Sequence, residues 1–122
     1  GGPVEVAEAD DSVIAYSAEE LDARLASGKP TFLYFTADWC ITCKVNERTT
    51  LKTAEVKDAF KKAGVGVMVG DWTSRDEEIG AVLKRFGRVG IPFYVYFGPN
   101  GADPVVLGQL LAPSMLTELV EG

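Results

Sequence analysis

The two cysteines constrain the fold of this chain more than any other feature. They are Cys40 and Cys43, and no other cysteine occurs among the 122 residues. An apolar run at 31–35 precedes them and is predicted to be a buried strand, and the segment from Lys44 onward is predicted to be a helix. At a helix start, unpaired backbone N–H groups and the helix dipole stabilise a thiolate. Residues three apart share a helical face, so the two sulfurs can form a disulfide or a dithiol.

Composition excludes several classes of function. The net charge of −6 disfavours nucleic acid and anionic membrane surfaces as partners. The chain has no histidine, which removes the usual general base and the commonest metal ligand. Two cysteines can form one redox couple but not a disulfide-rich scaffold. No apolar run approaches the roughly 20 residues that cross a bilayer, so the isolated chain is expected to be soluble.

The chain is predicted to be one domain with a short N-terminal extension. Residues 1–11 are acidic and small, which predicts a flexible lead-in. Gly1 and Gly2 have the character of a cloning remnant, which indicates a domain cut from a longer protein. Residues 12–122 are predicted to form the folded domain, since this length suffices for a hydrophobic core.

Hydrophobic periodicity predicts the order β-α-β-α-β-α-β-β-α. The early alternation of strands and helices favours an α/β fold with a parallel sheet covered on both faces, to which a later hairpin adds antiparallel strands. The helix that the cysteines open is predicted to run to about Thr49. Ser74 is the predicted cap of the next long helix after the third strand, because Glu77 follows at the spacing of a capping box.

Four motifs carry a resemblance to a known family. They are TADWCITCKVNE at 36–47, DWT at 71–73, RFGRVGIP at 85–92 and FYVY at 93–96. Over residues 13–120 the chain resembles thioredoxin-fold domains. More closely, it is similar to the C-terminal periplasmic domain of transmembrane thiol:disulfide interchange proteins of the DsbD type, including the ScsB branch. The resemblance implies a thioredoxin fold, in which helices flank a central mixed sheet on both faces.

The resemblance also implies a function, a location and partners. It implies a protein-disulfide reductase that receives electrons from the membrane-embedded domain of the same protein. The acceptors would be an N-terminal periplasmic domain or other periplasmic redox proteins, including cytochrome c maturation factors. The domain would lie in the periplasm as part of an inner-membrane protein, would be monomeric in isolation, and would need no cofactor beyond its redox-active disulfide.

In this interpretation the two cysteines have separate roles. Cys40, at the helix start with an exposed sulfur, attacks a partner disulfide and forms a mixed disulfide. Cys43, one turn deeper, resolves that intermediate and leaves the two cysteines oxidised.

The resemblance assigns further roles close to the cysteines. Many members of the family carry a buried Asp six residues before the first cysteine, and here that residue is Tyr34. Glu47 matches a family Glu four residues after the second cysteine, so we assign the proton transfer to Glu47. Tyr34 and Asp38 are predicted to tune the pKa of the thiols, with capping of the helix as the alternative role of Asp38.

Three residues are predicted to bind the partner. The Ile91–Pro92 peptide bond is expected to be cis, because the family has a cis proline facing the cysteines. The backbone of Ile91 would then pair with an extended partner segment as an added strand. Trp39 is predicted to shape the contact surface, and packing in the core is its alternative role.

Two other functions fit the same motifs. The first is a stand-alone cytosolic disulfide reductase of the thioredoxin type. The second is a thioredoxin fold used for binding, or as a copper or zinc chaperone. No metal site is predicted, because structural zinc usually takes four ligands and the chain has no second cysteine pair.

Overall fold

A computed structural model describes residues 13–121. The predicted lead-in at 1–11, the glycines at its start and the two ends of the predicted domain at 12 and 122 lie outside these residues. The strands are β1 Val13–Ala15, β2 Thr31–Thr36, β3 Gly66–Asp71, β4 Phe93–Phe97 and β5 Val105–Leu107. The α-helices are α1 Ala18–Ala26, α2 Ile41–Asn46, α3 Ala54–Ala63, α4 Glu77–Arg85 and α5 Pro113–Glu121.

The strands form one mixed sheet in the order β1-β3-β2-β4-β5. β1 and β2 run parallel to β3, whereas β4 pairs antiparallel with β2 and β5 antiparallel with β4. The predicted α/β class with a mixed sheet is confirmed, and β1 lies at one edge of the sheet. β2 lies in the centre, and it leads directly into the segment that carries the cysteines.

Both faces of β2 are buried, which explains why its sequence is apolar throughout. Successive side chains point to opposite faces. Leu33 and Phe35 pack in a core with residues of α1 and α4. Phe32 and Tyr34 pack in a second core with residues of α3 and α5. The central strand is therefore held from both sides, and its last residue has a fixed position.

The helix that follows the cysteines has two parts. It is α-helical to Asn46 and continues as a π-helical turn, Glu47–Leu51, so the helix predicted to about Thr49 is present but its second part is π-helical, which the sequence did not predict. In this turn the backbone N–H of Lys52 donates to the carbonyl of Glu47, at 2.8 Å. The extra residue of a π turn brings Lys52, five positions on, over Glu47.

The predicted cap of α4 is also wrong. Asp76, not Ser74, is the N-cap, and its carboxylate accepts the backbone N–H of Ile79 at 3.2 Å. The chain first makes a turn in which the N–H of Arg75 donates to the carbonyl of Trp72. Because of this turn the helix begins two residues later than predicted. Asp76 therefore occupies the N-cap position, which Asp and Ser both favour.

The cap assignment can be tested by substitution. Asp76→Ala should lower the free energy of unfolding by about 1 kcal/mol, because it leaves a helix N–H without its acceptor. Ser74→Ala is the matched control and should change it by less than about 0.5 kcal/mol. Urea unfolding of both variants measures the difference, and a larger loss for Ser74→Ala would contradict the structure.

Candidate active site

Cys40 and Cys43 are joined in a disulfide at the start of α2, and their Cα atoms are 5.3 Å apart. Cys40 is itself the N-cap of the helix, and its Sγ accepts the backbone N–H of Cys43 at 3.2 Å. The predicted position of the pair at the junction of a strand and a helix is confirmed. Asp38 does not cap this helix, so the alternative role given to it is wrong.

The disulfide is more buried than predicted. Cys40 is 6% exposed and Cys43 1% exposed, so the expected order of depth holds but the first cysteine is not freely exposed. The two cysteines form a buried cluster with Ala37, and the half-buried Ile91 packs against this cluster. The Sγ of Cys43 lies 4.0 Å from the carbonyl oxygen of Phe35, at the end of the central strand.

Ile91 and Pro92 lie across from the disulfide, in the segment that leads into β4. The peptide bond between them is cis, as expected. Pro92 is buried and Ile91 is half-buried. Ile91 packs against the cluster of Ala37 and the two cysteines.

Thr73 fixes the segment before the disulfide, a role that no sequence pattern indicated. The Oγ1 of Thr73 accepts the backbone N–H of Asp38, and its carbonyl accepts the indole N–H of Trp39, both at 3.0 Å. Thr73 is held in turn by Asp71, whose carboxylate accepts both its backbone N–H and its hydroxyl. These bonds to Thr73 lower the pKa of Asp71. The predicted motif at 71–73 contained this residue, but only the fold shows which segment it contacts.

Trp39 lies at the surface beside the disulfide. Its side chain is 44% exposed, so the alternative role of core packing does not describe it. The ring of Trp72 lies 6.3 Å from it, centroid to centroid, and the guanidinium of Arg75 lies 4.4 Å from its ring centre. The indole is therefore held in place by a hydrogen bond and a cation–π contact.

Glu47 is the buried charge nearest in sequence to the disulfide. It is 7% exposed, and its Oε2 accepts the hydroxyl of Thr36 at 2.6 Å. Its Oε1 lies 3.9 Å from the ammonium of Lys52 and 4.0 Å from that of Lys44. The carboxylate borders a cavity of about 530 Å³ that Tyr34, Thr36 and Lys52 also line. Sequence reasoning found Glu47 but missed Thr36 and Lys52, the latter because no pattern in the sequence signals a π turn.

The predicted tuning residue Tyr34 interacts electrostatically with Glu47. Burial, and then the Glu47 carboxylate, raise the pKa of Tyr34 well above its ordinary value. Burial and Glu47 likewise raise the pKa of Tyr94 to about 12, although a hydrogen bond from Asn46 opposes the shift. Both phenols therefore stay protonated at neutral pH, and neither is a base for a thiol.

Asn46 connects the cysteine helix to the rest of the fold. It is 2% exposed, and its amide donates to the hydroxyl of Tyr94 at 2.9 Å and to the carbonyl of Gln109 at 2.7 Å. Its Oδ1 accepts the N–H of Leu111 at 3.2 Å. The sequence analysis quoted this residue only as part of a motif, because an Asn in a helix gives no sign of its partners.

Two other features complete the description of residues 13–121. Within this range no three or more His, Cys, Asp or Glu side chains are grouped so that they could hold a metal ion. In the same range no helix combines the length and the apolar character that a membrane span requires. The disulfide of the site can open to a dithiol and exchange with another disulfide.

Comparisons with known proteins point to one family. The family model described as thioredoxin-like matches residues 12–99. The thiol:disulfide interchange protein DsbD of Ralstonia nicotianae is 39% identical over 103 residues, which cover 83% of this chain and 17% of that protein. DsbD of Cronobacter sakazakii is 34% identical over 111 residues, which cover 84% of this chain and 18% of that protein. The chain thus spans less than a fifth of the length of these curated relatives.

Solved structures agree with these relatives. The crystal structure of the oxidised C-terminal domain of Neisseria meningitidis DsbD matches with a TM-score of 0.70 and 27% identity, covering 88% of this chain and 97% of that one. The reduced form of the same domain matches with a TM-score of 0.69 over the same shares. These findings confirm the resemblance that the sequence motifs carry.

The raised pKa of Tyr34 predicts a loss of stability at alkaline pH. The folded state retains a phenolic proton that the unfolded chain releases from about pH 10. The contribution of this difference to the free energy of unfolding is therefore complete below about pH 10 and is lost progressively as the pH rises above that value. Wild type should therefore lose free energy of unfolding relative to Tyr34→Phe between pH 10 and pH 12. Urea unfolding of both proteins at pH 8, 10 and 11 measures this, and parallel pH curves would contradict it.

Proposed function

The chain belongs to the thioredoxin-like family, and on this premise we propose that it reduces protein disulfides by exchange through Cys40 and Cys43. The observation that carries the proposal is the disulfide at the helix start, with Cys40 as the N-cap of α2. A reactive sulfur at this position faces the positive end of the helix dipole, which stabilises its thiolate.

The exchange proceeds in two balanced steps. In the reduced protein the Cys40 thiolate attacks a partner disulfide, so that one partner sulfur leaves as a thiolate and a mixed disulfide forms. Cys43 then attacks the Cys40 sulfur, the bond to the partner breaks, and the second partner sulfur leaves as a thiolate. The partner gains two electrons, takes up two protons from water as its thiolates become thiols, and the intramolecular disulfide is restored.

We propose Glu47 as the base that accepts the proton of the Cys43 thiol before the second step. The backbone supports this, because Glu47 follows Cys43 by one helical turn and its N–H donates to the Cys43 carbonyl. Its carboxylate can pass the proton to water through the cavity that it borders. No other carboxylate among residues 13–121 is buried, which sets Glu47 apart from the surface acids.

The partner docks on the apolar rim around the disulfide. Ile41 is 80% exposed and directly follows Cys40. Val89 is 99% exposed and lies two residues before Ile91, which packs against the cluster of Ala37 and the cysteines. Exposed large apolar side chains grouped around a reactive centre are typical of an interaction surface. In this proposal Trp39 forms part of the rim, and the backbone of Ile91, next to Pro92, pairs with an extended partner segment.

In the physiological reaction the domain relays electrons. We propose that it receives them from a membrane-embedded domain of a longer protein and passes them to periplasmic acceptors. The similarity to DsbD C-terminal domains supports this, as does the small share of each relative that the chain spans. A Cys40–Cys43 couple more oxidising than glutathione would contradict this direction of electron flow.

Trapping experiments test the roles of the two cysteines. Reduced Cys43→Ser protein should accumulate a mixed disulfide with a protein substrate such as insulin, because the resolving sulfur is absent. Reduced Cys40→Ser protein should trap none, and neither variant should turn over. Non-reducing electrophoresis and mass spectrometry identify the linked cysteine, and trapping through Cys43 would reverse the assignment.

A pH profile tests the role of Glu47. Glu47→Gln should slow resolution of the mixed disulfide about 100-fold near neutral pH, because base catalysis typically contributes that much or more. The variant should also lose the acid limb of the wild-type pH profile, and its amide can still accept the Thr36 hydroxyl.

Glu55→Gln, an exposed carboxylate on α3, is the matched control and should leave the profile unchanged. Rapid mixing with acid quench and alkylation measures the resolving step. If Glu47→Gln changes stability but not the shape of the profile, Glu47 has a structural role only.

A further inference from the structure

A groove beside the active site concentrates cationic side chains. It has a volume of about 580 Å³ and lies between the turn before α4 and the segment after that helix. Arg75, Lys84 and Arg88 line it, together with the apolar side chains of Trp72 and Val89. This grouping contrasts with the chain as a whole, which carries a net charge of −6.

The three cations have no carboxylate partner within the described structure. Among residues 13–121 the side-chain ion pairs within 4.0 Å are those of Glu47, on the other side of the site. Asp76 also borders the groove, but its carboxylate accepts the N–H of Ile79 as the cap of α4. Glu77 is the remaining acid in the lining. The lining thus carries three cations and two carboxylates, an excess of one positive charge, and of the two carboxylates only that of Glu77 has no internal hydrogen bond in this range.

Arg75 is held in a defined position at the end of this groove. Its φ angle is +53°, in the left-handed region that a residue with a side chain enters at a cost of about 1 kcal/mol or more. Its guanidinium lies 4.4 Å from the ring centre of Trp39 and 5.9 Å from that of Trp72. A guanidinium laid on aromatic rings keeps its planar set of N–H donors directed outward, where it can bind a carboxylate with two hydrogen bonds.

The groove is continuous with the disulfide at two points. Trp39, under the Arg75 guanidinium, directly precedes Cys40 in the chain. At the other side, Arg88 and Val89 lead within three residues to Ile91, which packs against the cluster of Ala37, Cys40 and Cys43. A polypeptide whose disulfide meets Cys40 would therefore place the residues flanking its cysteine over the groove.

We propose that this groove binds an acidic segment of the partner protein, next to the cysteine that exchanges with Cys40. The inference rests on the proposed disulfide exchange and adds the chemical class of the partner. Arg75 binds a carboxylate beside the disulfide, and Lys84 and Arg88 bind carboxylates further along the groove. Charges placed this way increase the rate of encounter with acidic partners and oppose basic ones.

Three synthetic peptides test the proposal. Each contains the same intramolecular disulfide, and the residues that flank its cysteines are Glu, Gln or Lys. Reduced wild-type protein should react fastest with the Glu peptide and slowest with the Lys peptide. The differences should shrink as salt is raised from about 0.02 M to about 0.5 M, because exposed charges are then screened. Alkylation at timed intervals and mass spectrometry give the rate constants.

Charge variants locate the effect. Arg75→Gln/Arg88→Gln should lower the ratio of the Glu-peptide rate to the Gln-peptide rate by about 5- to 10-fold, a typical size for electrostatic steering. Lys84→Gln/Arg88→Gln, which leaves the contact with Trp39 intact, should lower it in the same direction. Lys61→Gln/Lys62→Gln, on α3 across the sheet, is the matched control and should leave the ratio unchanged.

The outcomes separate this inference from the proposed function. If wild type reduces none of the peptides, the proposed disulfide exchange fails. If it reduces all three equally, or if the control pair changes the ratio as much as the groove variants do, the groove does not select acidic partners. Equal slowing of all peptides by Arg75→Gln/Arg88→Gln would assign these residues a structural role instead.

Discussion

The site depends on where the central strand ends. The last backbone bond there is made by the carbonyl of Thr36, which accepts the N–H of Trp72 at 2.7 Å. The chain then leaves the sheet at Ala37 and turns, with the N–H of Cys40 donating to the Ala37 carbonyl, and enters α2 at once. This leaves the first cysteine in the N-cap position, where Ser, Thr, Asp or Asn is usual. A sulfur is a weaker hydrogen-bond acceptor than these oxygens. A reactive cysteine therefore occupies an N-cap position at which Ser, Thr, Asp or Asn would cap the helix more strongly.

Among residues 13–121 a single buried carboxylate accompanies the disulfide. Burying a charge is unfavourable unless it is paired and hydrogen-bonded, and Glu47 has both kinds of partner, on different oxygens. The resemblance described above implies that many relatives carry an acid at the position of Tyr34. Such an acid would repel the Glu47 carboxylate and favour protonation of one of the two carboxyl groups. Tyr34 removes that repulsion, because its raised pKa keeps it neutral. The π turn completes the arrangement, since it brings the ammonium of Lys52 to the carboxylate.

Much of the fold could be predicted from the sequence, because local patterns determine it. The apolar central strand, the cysteine-led helix and the mixed sheet all follow from periodicity and spacing. The failures have physical causes. Ser74 and Asp76 are both good caps, and only the turn at Arg75 decides between them. The contacts of Thr36, Asn46 and Thr73 join elements that are distant in sequence, so no local pattern reveals them. Ile91, 51 positions from Cys40 in sequence, packs against the cluster in which Cys40 is buried, whereas the position of Cys40 at the helix start predicted an exposed sulfur.

One short segment serves both the reactive centre and the surface next to it. Between β3 and α4, Thr73 faces the segment before the disulfide and fixes it with two hydrogen bonds. Two residues later, Arg75 faces outward over Trp39, and the left-handed conformation of its backbone directs the chain into the cap of α4. The position of the cysteine loop and the charge presented to a partner are therefore set by the same turn. A change in the length of this turn would alter both together, whereas exchange of the Arg75 side chain alone alters the surface while Thr73 keeps its bonds.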